Sequence, residues 1–308
     1  MNVPAPVFSV ILPVFNADRY LRAAVASILA QSHRDFELIA IDDGSTDGSP
    51  AILDAFAAAD PRVRILRRPN TGIVGALNDG LAAATGEFIA RMDADDIADP
   101  RRLELQLAHL RAHPRCVALG SAVYLLDADG CRVELLPRRP AHAQNEAALL
   151  RGDGGAVIHP VACFRRAAVY QAGGYRREYQ YVEDLDLYLR LARLGTVENL
   201  PEALLGYRVH PSSINFTQNE GRHAVTLRLL AEAHLARGLP FDPSSVIPGS
   251  HWSDTAAHHR RWAVTSLPLS GRRTALKHAL AACRLSPGSI ASWRCLSYAL
   301  SAPLRPAA

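Results

Sequence analysis

Between residues 7 and 90 four short apolar runs alternate with three stretches that read as helices. No other feature restricts its fold as much. The apolar runs are Val7–Val14, Phe36–Ile41, Val63–Leu66 and Gly86–Ala90. Between the first two, Tyr20, Leu21, Ala24, Ile28 and Leu29 recur at helical spacing, with Asn16 placed to cap that helix. Ile52, Leu53 and Phe56 mark a second helix, and a third opens after the loose glycine loop Asn70–Asn78. A β-α-β-α-β-α-β order implies a parallel sheet covered by helices.

Two of these strands end in carboxylates. The second runs into Asp42-Asp43-Gly44-Ser45-Thr46-Asp47, and the fourth into Arg91-Met92-Asp93-Ala94-Asp95-Asp96. In open α/β sheets ligands bind beyond the carboxyl ends of the strands, so both clusters face one crevice. Three carboxylates within four residues repel one another, and a hard divalent cation with oxygen ligands offsets that repulsion. The plainer alternative is a solvated acidic turn. The loop after Asp43 has neither a dinucleotide-type glycine pattern nor a phosphate-loop lysine. An aspartate there can instead accept hydrogen bonds from a base or a ribose.

Farther on, Val117–Leu126 reads as a strand, and Asp127-Ala128-Asp129-Gly130 as a hairpin turn. Val182–Leu194 reads as a helix with apolar positions Leu185, Tyr188, Leu189 and Ala192, ended by Gly195. After a loop beyond Gly206 come a helix over Gly221–Arg237 and a linker, Pro240–Ser250. Helical segments Thr255–Ser266 and Arg272–Leu300 follow. The expected division is residues 1–220 as a catalytic domain and 221–308 as a basic helical region.

Charge follows that division. From Gly221 onward there are 11 Lys or Arg against 3 Asp or Glu, a net of +8, which leaves the first part at −4 within a total of +4. A basic tail suggests an anionic partner such as a membrane surface, with a helical lid or an oligomer contact as the alternative. Trp252, Trp262 and Trp293 lie among its arginines. Nucleic acid is disfavoured because no aromatic platforms interleave the basic residues. Five unpaired-looking cysteines are expected to fill the interior of a protein from a reducing, cytosolic compartment. No stretch is long and apolar enough to span a bilayer.

Taken together, Val10-Ile11-Leu12-Pro13-Val14-Phe15-Asn16, Asp42-Asp43-Gly44-Ser45-Thr46-Asp47, Asp93-Ala94-Asp95-Asp96 and Glu183-Asp184 resemble the inverting glycosyltransferases of family 2, of the bacterial envelope and polysaccharide type. The resemblance covers roughly residues 6 to 215. It implies the GT-A fold: an α/β architecture with a mainly parallel twisted sheet flanked by helices, here with a C-terminal helical appendage. It implies that Pro13, Val14, Asn16, Asp42, Asp43, Gly72, Asp93 and Ala94 line the nucleotide. Asp95 and Asp93, joined by His210 of Tyr207-Arg208-Val209-His210-Pro211, would hold Mn²⁺ or Mg²⁺. Asp184 would be the general base. Glu183 and His159 would lie on the acceptor side. Asp186 reads as helix-surface charge.

The activity so implied is transfer of a sugar from a nucleoside diphosphate sugar, UDP being the expected carrier, to a glycan or lipid-linked acceptor, with inversion. The enzyme would work in the cytoplasm, at the inner face of the membrane if the tail binds lipid. The alternatives are a nucleotidylyltransferase and a non-catalytic sugar-nucleotide-binding protein. Against the first, the N-terminal strand ends in Pro13-Val14-Phe15-Asn16 rather than in a glycine-rich loop.

Overall fold

The computed structural model describes residues 5–210, 221–247 and 255–302. Pro211, Trp252 and the end of the expected linker, 248–250, lie outside the described residues. The chain forms two compact units that interleave along the sequence. The first takes residues up to 123, then 137–205 and the helix after residue 220. The second takes 124–136, the end of the strand from Gly206, and the C-terminal helices. The helix at 222–235, expected with the tail, thus groups with the first unit. Its Leu229, Leu230 and Ala233 join that unit's core.

In the first unit the order is β1 (Phe8–Val14), α1 (Asp18–Leu29), β2 (Phe36–Asp42), α2 (Ser49–Ala59), β3 (Val63–Arg67), α3 (Ile73–Ala83) and β4 (Phe88–Arg91), which bears out the alternation read from sequence. All seven residues of β1 and of β2 are buried, as strands covered by helices on both faces require. Pairing of β1 with β2 and β4, and of β2 with β3, is parallel.

Beyond β4 the sheet changes character. It runs β3-β2-β1-β4-β8-β6-β9-β5, where β5 is Ile97–Ala98, β6 Cys116–Leu126, β8 Cys163–Arg165 and β9 Thr196–Arg208. Strand β8 pairs antiparallel with both β4 and β6. Helices α4 (Arg102–Ala112), α5 (His142–Leu149), α6 (Arg166–Ala172), α7 (Glu183–Leu191) and α8 (Arg222–Leu235) complete the unit. Strand β9 continues through Gly206 and Tyr207 to Arg208, where the sequence suggested a loop.

Several expectations need correction. Asn16 does not cap α1. It takes a left-handed conformation, φ 48°, and its Oδ1 instead accepts the Thr46 N–H at 2.8 Å. Asp186 is not surface charge. It is fully buried and clamped by Arg176 and Arg190, with contacts of 3.0 Å and 3.2 Å. The stretch from Pro240 is no loose linker, since Phe241 and Val246 pack on the core and Ile247 N–H donates to the Arg151 carbonyl at 2.8 Å.

The second unit contains the end of β6, its hairpin partner β7 (Arg132–Leu136), and helices α9 (Thr255–Thr265), α10 (Leu267–Leu285) and α11 (Ile290–Ser301). The segment expected as one helix from Arg272 to Leu300 is two, because Pro287-Gly288 cannot continue the turn. Helix α10 is itself broken at Gly271, φ 77°, and resumes at Arg272. Trp262 is buried against Leu125, Val133 and Val209, so it is a core residue and not part of any basic surface.

The expected hairpin turn is present, and it anchors a buried polar cluster. Asp127 Oδ1 accepts the N–H groups of Asp129 and Cys131 at 3.0 and 2.9 Å. Its Oδ2 accepts Lys277 Nζ at 2.6 Å and His278 Nε2 at 3.1 Å. His278 Nδ1 meets His259 Nδ1 at 2.9 Å, a contact that holds one shared proton and not two. Burial, and then the charges of His278, Lys277 and His258, push His259 down to about 4 from 6.5. Between these values the unfolded chain binds the extra proton and the folded chain does not. Stability is therefore full above about pH 6.5 and falls toward pH 4. The expected loss is about 1–2 kcal/mol after allowance for solvent screening. Denaturant melts of His259→Phe and the native chain across that range check it: the variant should lose less stability on acidification.

Candidate active site

The carboxyl ends of β1, β2 and β4 are knitted together by short polar contacts. Val14 and Asp42 are register partners, and the Asp43 N–H donates to the Val14 carbonyl at 2.9 Å. Asp42 Oδ1 accepts the Ser45 N–H at 2.9 Å. Asn16 N–H donates to Ser45 Oγ, and Ala17 N–H to Ser49 Oγ, at 3.1 and 2.9 Å. The loops after β1 and β2 thereby fix each other. Gly44 must be glycine: its φ is 78°, and a Cβ there would lie 2.9 Å from the Asn70 nitrogen.

Asp43 is buried and faces the third loop. Its Oδ1 accepts the Thr71 N–H at 3.2 Å and pairs with Arg68 Nε at 3.0 Å; its Oδ2 accepts the Gly72 N–H at 3.0 Å. Arg68 in turn pairs with Asp79 at 2.7 Å. Pro13, Val14, Asp42, Asp43 and Gly72 therefore share one strand-end region, and Gly72 opens α3 with φ 87°.

On the other side of β1, Met92 N–H donates to the Ile11 carbonyl, placing Asp93, Ala94, Asp95 and Asp96 just past β4. One carboxylate oxygen from each of Asp93, Asp95 and Asp96 lies within 4.8 Å of the others, a set of hard oxygen donors suited to Mg²⁺ or Mn²⁺. Asp93 is gripped by both terminal nitrogens of Arg91, one at 2.8 Å. Burial works against the Arg91 charge, but Asp93, Tyr175 and Asp96 outweigh it and raise its pKa. Burial lifts the Asp93 carboxyl; Arg91 opposes this, while Asp95 and Asp184 add to it. Arg102 is also buried and donates to the Arg91 carbonyl at 2.6 Å.

Asp184 stands in the first turn of α7, where Leu185 N–H donates to its Oδ1 at 2.7 Å. Burial raises its pKa, while Arg222 at the start of α8 and Arg91 pull it back. Glu183 is pushed up to about 7 by burial and by Asp184, and its Oε2 is buried with no hydrogen-bond partner among the described residues. His159 is buried, bonds the Tyr175 hydroxyl at 2.8 Å and packs edge-on to Tyr188. Burial and Arg91 depress its pKa well below 6.5, so it is neutral.

Arg91, Asp93, Asp184, Glu183, Tyr175 and His159 thus form one electrostatic group, in which Arg91, Tyr175 and His159 are buried and the three carboxylates are partly open to solvent. Asn78 bonds the Tyr175 backbone at both ends, at 2.8 and 3.0 Å. Sequence reading had missed Arg91, Arg102 and Arg68 as site-building residues. The available signal was Arg91 itself, a charge ending the apolar strand Phe88–Arg91 two positions before Asp93, and so on the same face. His210 lies two residues beyond β9, in the second unit.

The family model described as glycosyl transferase family 2 matches residues 9–172, more than half of the chain. The chain belongs to glycosyltransferase family 2. It is 34% identical over 231 residues to the glycosyltransferase-named EpsE of Bacillus subtilis, covering 73% of this chain and 80% of that one. It is 32% identical over 212 residues to the amylovoran biosynthesis glycosyltransferase AmsE of Erwinia amylovora, covering 68% and 78%.

Among solved structures, this glycosyltransferase superposes on S. aureus TarS 1-349 in complex with UDP-GlcNAc, with a TM-score of 0.64, 17% identity, and coverage of 89% of this chain and 83% of that one. It also superposes on the mannosyltransferase PcManGT of Pyrobaculum calidifontis in complex with GDP-Man and Mn²⁺, with a TM-score of 0.52, 19% identity, and coverage of 97% and 80%. Its fold is GT-A, and the nucleotidylyltransferase alternative falls away. Among the described residues no helix is long and apolar enough to cross a membrane.

Proposed function

We propose that this family 2 glycosyltransferase moves a sugar from a UDP-sugar to an acceptor hydroxyl, on a glycan or a lipid-linked glycan, with inversion. The observation that carries this reading is the placement of Asp42-Asp43 and Asp93/Asp95/Asp96 on either side of β1, with Asp184 close enough to raise the Asp93 pKa. A donor stretched along that edge would put its nucleotide by Val14, Asp43 and Gly72. Its diphosphate would lie by Asp93 and Asp95, and its anomeric carbon toward Asp184.

Inversion needs one displacement. The acceptor O–H bond breaks as its oxygen bonds the anomeric carbon, and the proton passes to the Asp184 carboxylate. The carbon–oxygen bond to the diphosphate breaks, and its electron pair leaves with the nucleotide. Leu185 N–H orients Asp184, and the Arg222 and Arg91 charges favour the ionised form that a base requires. Asp95, Asp93 and Asp96 would hold a divalent cation, which when bound supplies positive charge against the leaving diphosphate. Glu183, with its unpartnered buried oxygen, would meet the acceptor.

A panel of UDP-sugars with Mn²⁺ and candidate acceptors, read by UDP release and by the anomeric configuration of the product, tests the reading. Product with retained configuration, or no release from any sugar nucleotide, would sink it. Asp43→Ala strips the acceptor from the Thr71 N–H, leaves the Gly72 N–H only Asn70 Oδ1 at 3.2 Å, and takes a partner from Arg68. It should lower stability by about 2–4 kcal/mol and weaken UDP binding. Calorimetry giving native UDP affinity for this variant would remove Asp43 from the nucleotide pocket.

A further inference from the structure

We propose that the turn joining α10 to α11 is a docking tip for the surface of an anionic lipid bilayer, a property independent of the transfer reaction. Three large apolar side chains flank this turn and are open to solvent: Leu285 at 54%, Ile290 at 71% and Trp293 at 53%. A soluble surface scatters such residues singly, and their concentration on one turn marks a contact site. The Trp293 indole N–H donates to the Pro287 carbonyl at 2.8 Å. The ring is therefore pinned over the turn with its polar atom satisfied internally, so it can enter an apolar medium without stranding a donor.

Exposed Arg284 and Arg294 stand on the two sides of this apolar tip. They belong to a basic segment: residues 255–302 carry seven Lys or Arg and no Asp or Glu, and of the seven Arg261 and Lys277 are paired with Glu134, Asp127 and Asp129 of the hairpin. Leu280 on α10 and Tyr298 and Leu300 on α11 are exposed as well. Aromatic and aliphatic residues at the apolar boundary, with arginines reaching to phosphate, are the composition of an interfacial anchor. A second copy fits poorly, because two such tips would bring Arg284 and Arg294 of each copy together with no Asp or Glu on either helix. Nucleic acid has the charge but no use for Leu285 and Ile290.

Flotation of the full-length protein with phosphatidylcholine vesicles, with and without about 30 mol% phosphatidylglycerol, tests this. The native chain is expected to float with the anionic vesicles at low salt, to be released at high salt, and to stay down with phosphatidylcholine alone. Arg284→Glu/Arg294→Glu, and separately Ile290→Ser/Trp293→Ser, should each lower partitioning about tenfold or more. All four side chains are exposed and outside the transfer site, so UDP affinity should hold in both; the melting temperature should hold in the arginine pair and fall slightly in Ile290→Ser/Trp293→Ser, which loses the indole bond to Pro287. No flotation at low salt, or undiminished flotation of both double variants, overturns the proposal. So does a native dimer that Ile290→Ser/Trp293→Ser turns into a monomer while neither binds vesicles, which would give the face to a second copy.

Discussion

Asp184→Asn lowers kcat by roughly 10²–10⁴-fold while leaving UDP affinity near native: this is the expected result if Asp184 is the base. The size follows from general-base catalysis, and the selectivity from position. Asp184 sits at the start of α7, fixed by Leu185 N–H and by the buried Leu185, Leu187 and Leu189 behind it, apart from the loops that carry Asp43 and Gly72. Asparagine keeps an oxygen for the Leu185 N–H, so the melting temperature should move little. Glu183→Gln is the discriminating partner. Its carboxyl is raised to about 7 by burial and Asp184, so the folded chain holds a proton that the unfolded chain releases from about 4.5 upward. That contribution is present in acid and lost as pH rises to 7. Glu183→Gln should thus stabilise the metal-free protein near pH 7.5 by about 1–3 kcal/mol. Near-native turnover of Asp184→Asn, with loss in Glu183→Gln, would move the base to Glu183.

Chelation should abolish transfer, and Mn²⁺ or Mg²⁺ should restore it. Asp95→Asn should lower turnover by about 10²–10⁴-fold at saturating metal, the equivalent of several kcal/mol of charge stabilisation. Asp93 is expected to be the lesser direct ligand, because both terminal nitrogens of Arg91 already grip its carboxylate. Calorimetric titration of Mn²⁺ in the presence of UDP gives a readout separate from turnover: Asp95→Asn should weaken the ion more than Asp93→Asn. Full activity in chelator, or unaltered Mn²⁺ affinity in both variants, would leave the three carboxylates as a charged turn.

The parallel half of the sheet was legible because β1, β2 and β4 are buried along their whole length and apolar runs alternate with stretches of helical spacing. Residues such as Phe8–Val14 and Phe36–Asp42 allow no other placement. Beyond β4 the long strand β6 and its hairpin turn were legible, but β5 has two residues and β8 three, too few for any period to register. The acidic clusters were legible as chemistry, but their supports were not. Arg91 and Asp186 have the same letters as surface charges, and only tertiary burial shows that one grips Asp93 and the other locks Arg176 to Arg190. Trp262 failed for the converse reason: an aromatic beside arginines reads as a surface, yet its ring closes a core with Leu125, Val133 and Val209.

A recombination breakpoint just ahead of α9 would part Trp262 from the three aliphatic residues it covers, two of them encoded far upstream. Asp127 would at the same stroke lose Lys277 and His278. The C-terminal helices and the hairpin at 124–136 thus depend on each other, although Glu183 and Asp184 lie between them in the chain. A chimera carrying a foreign tail but the native hairpin should misfold, where one that swaps both should not.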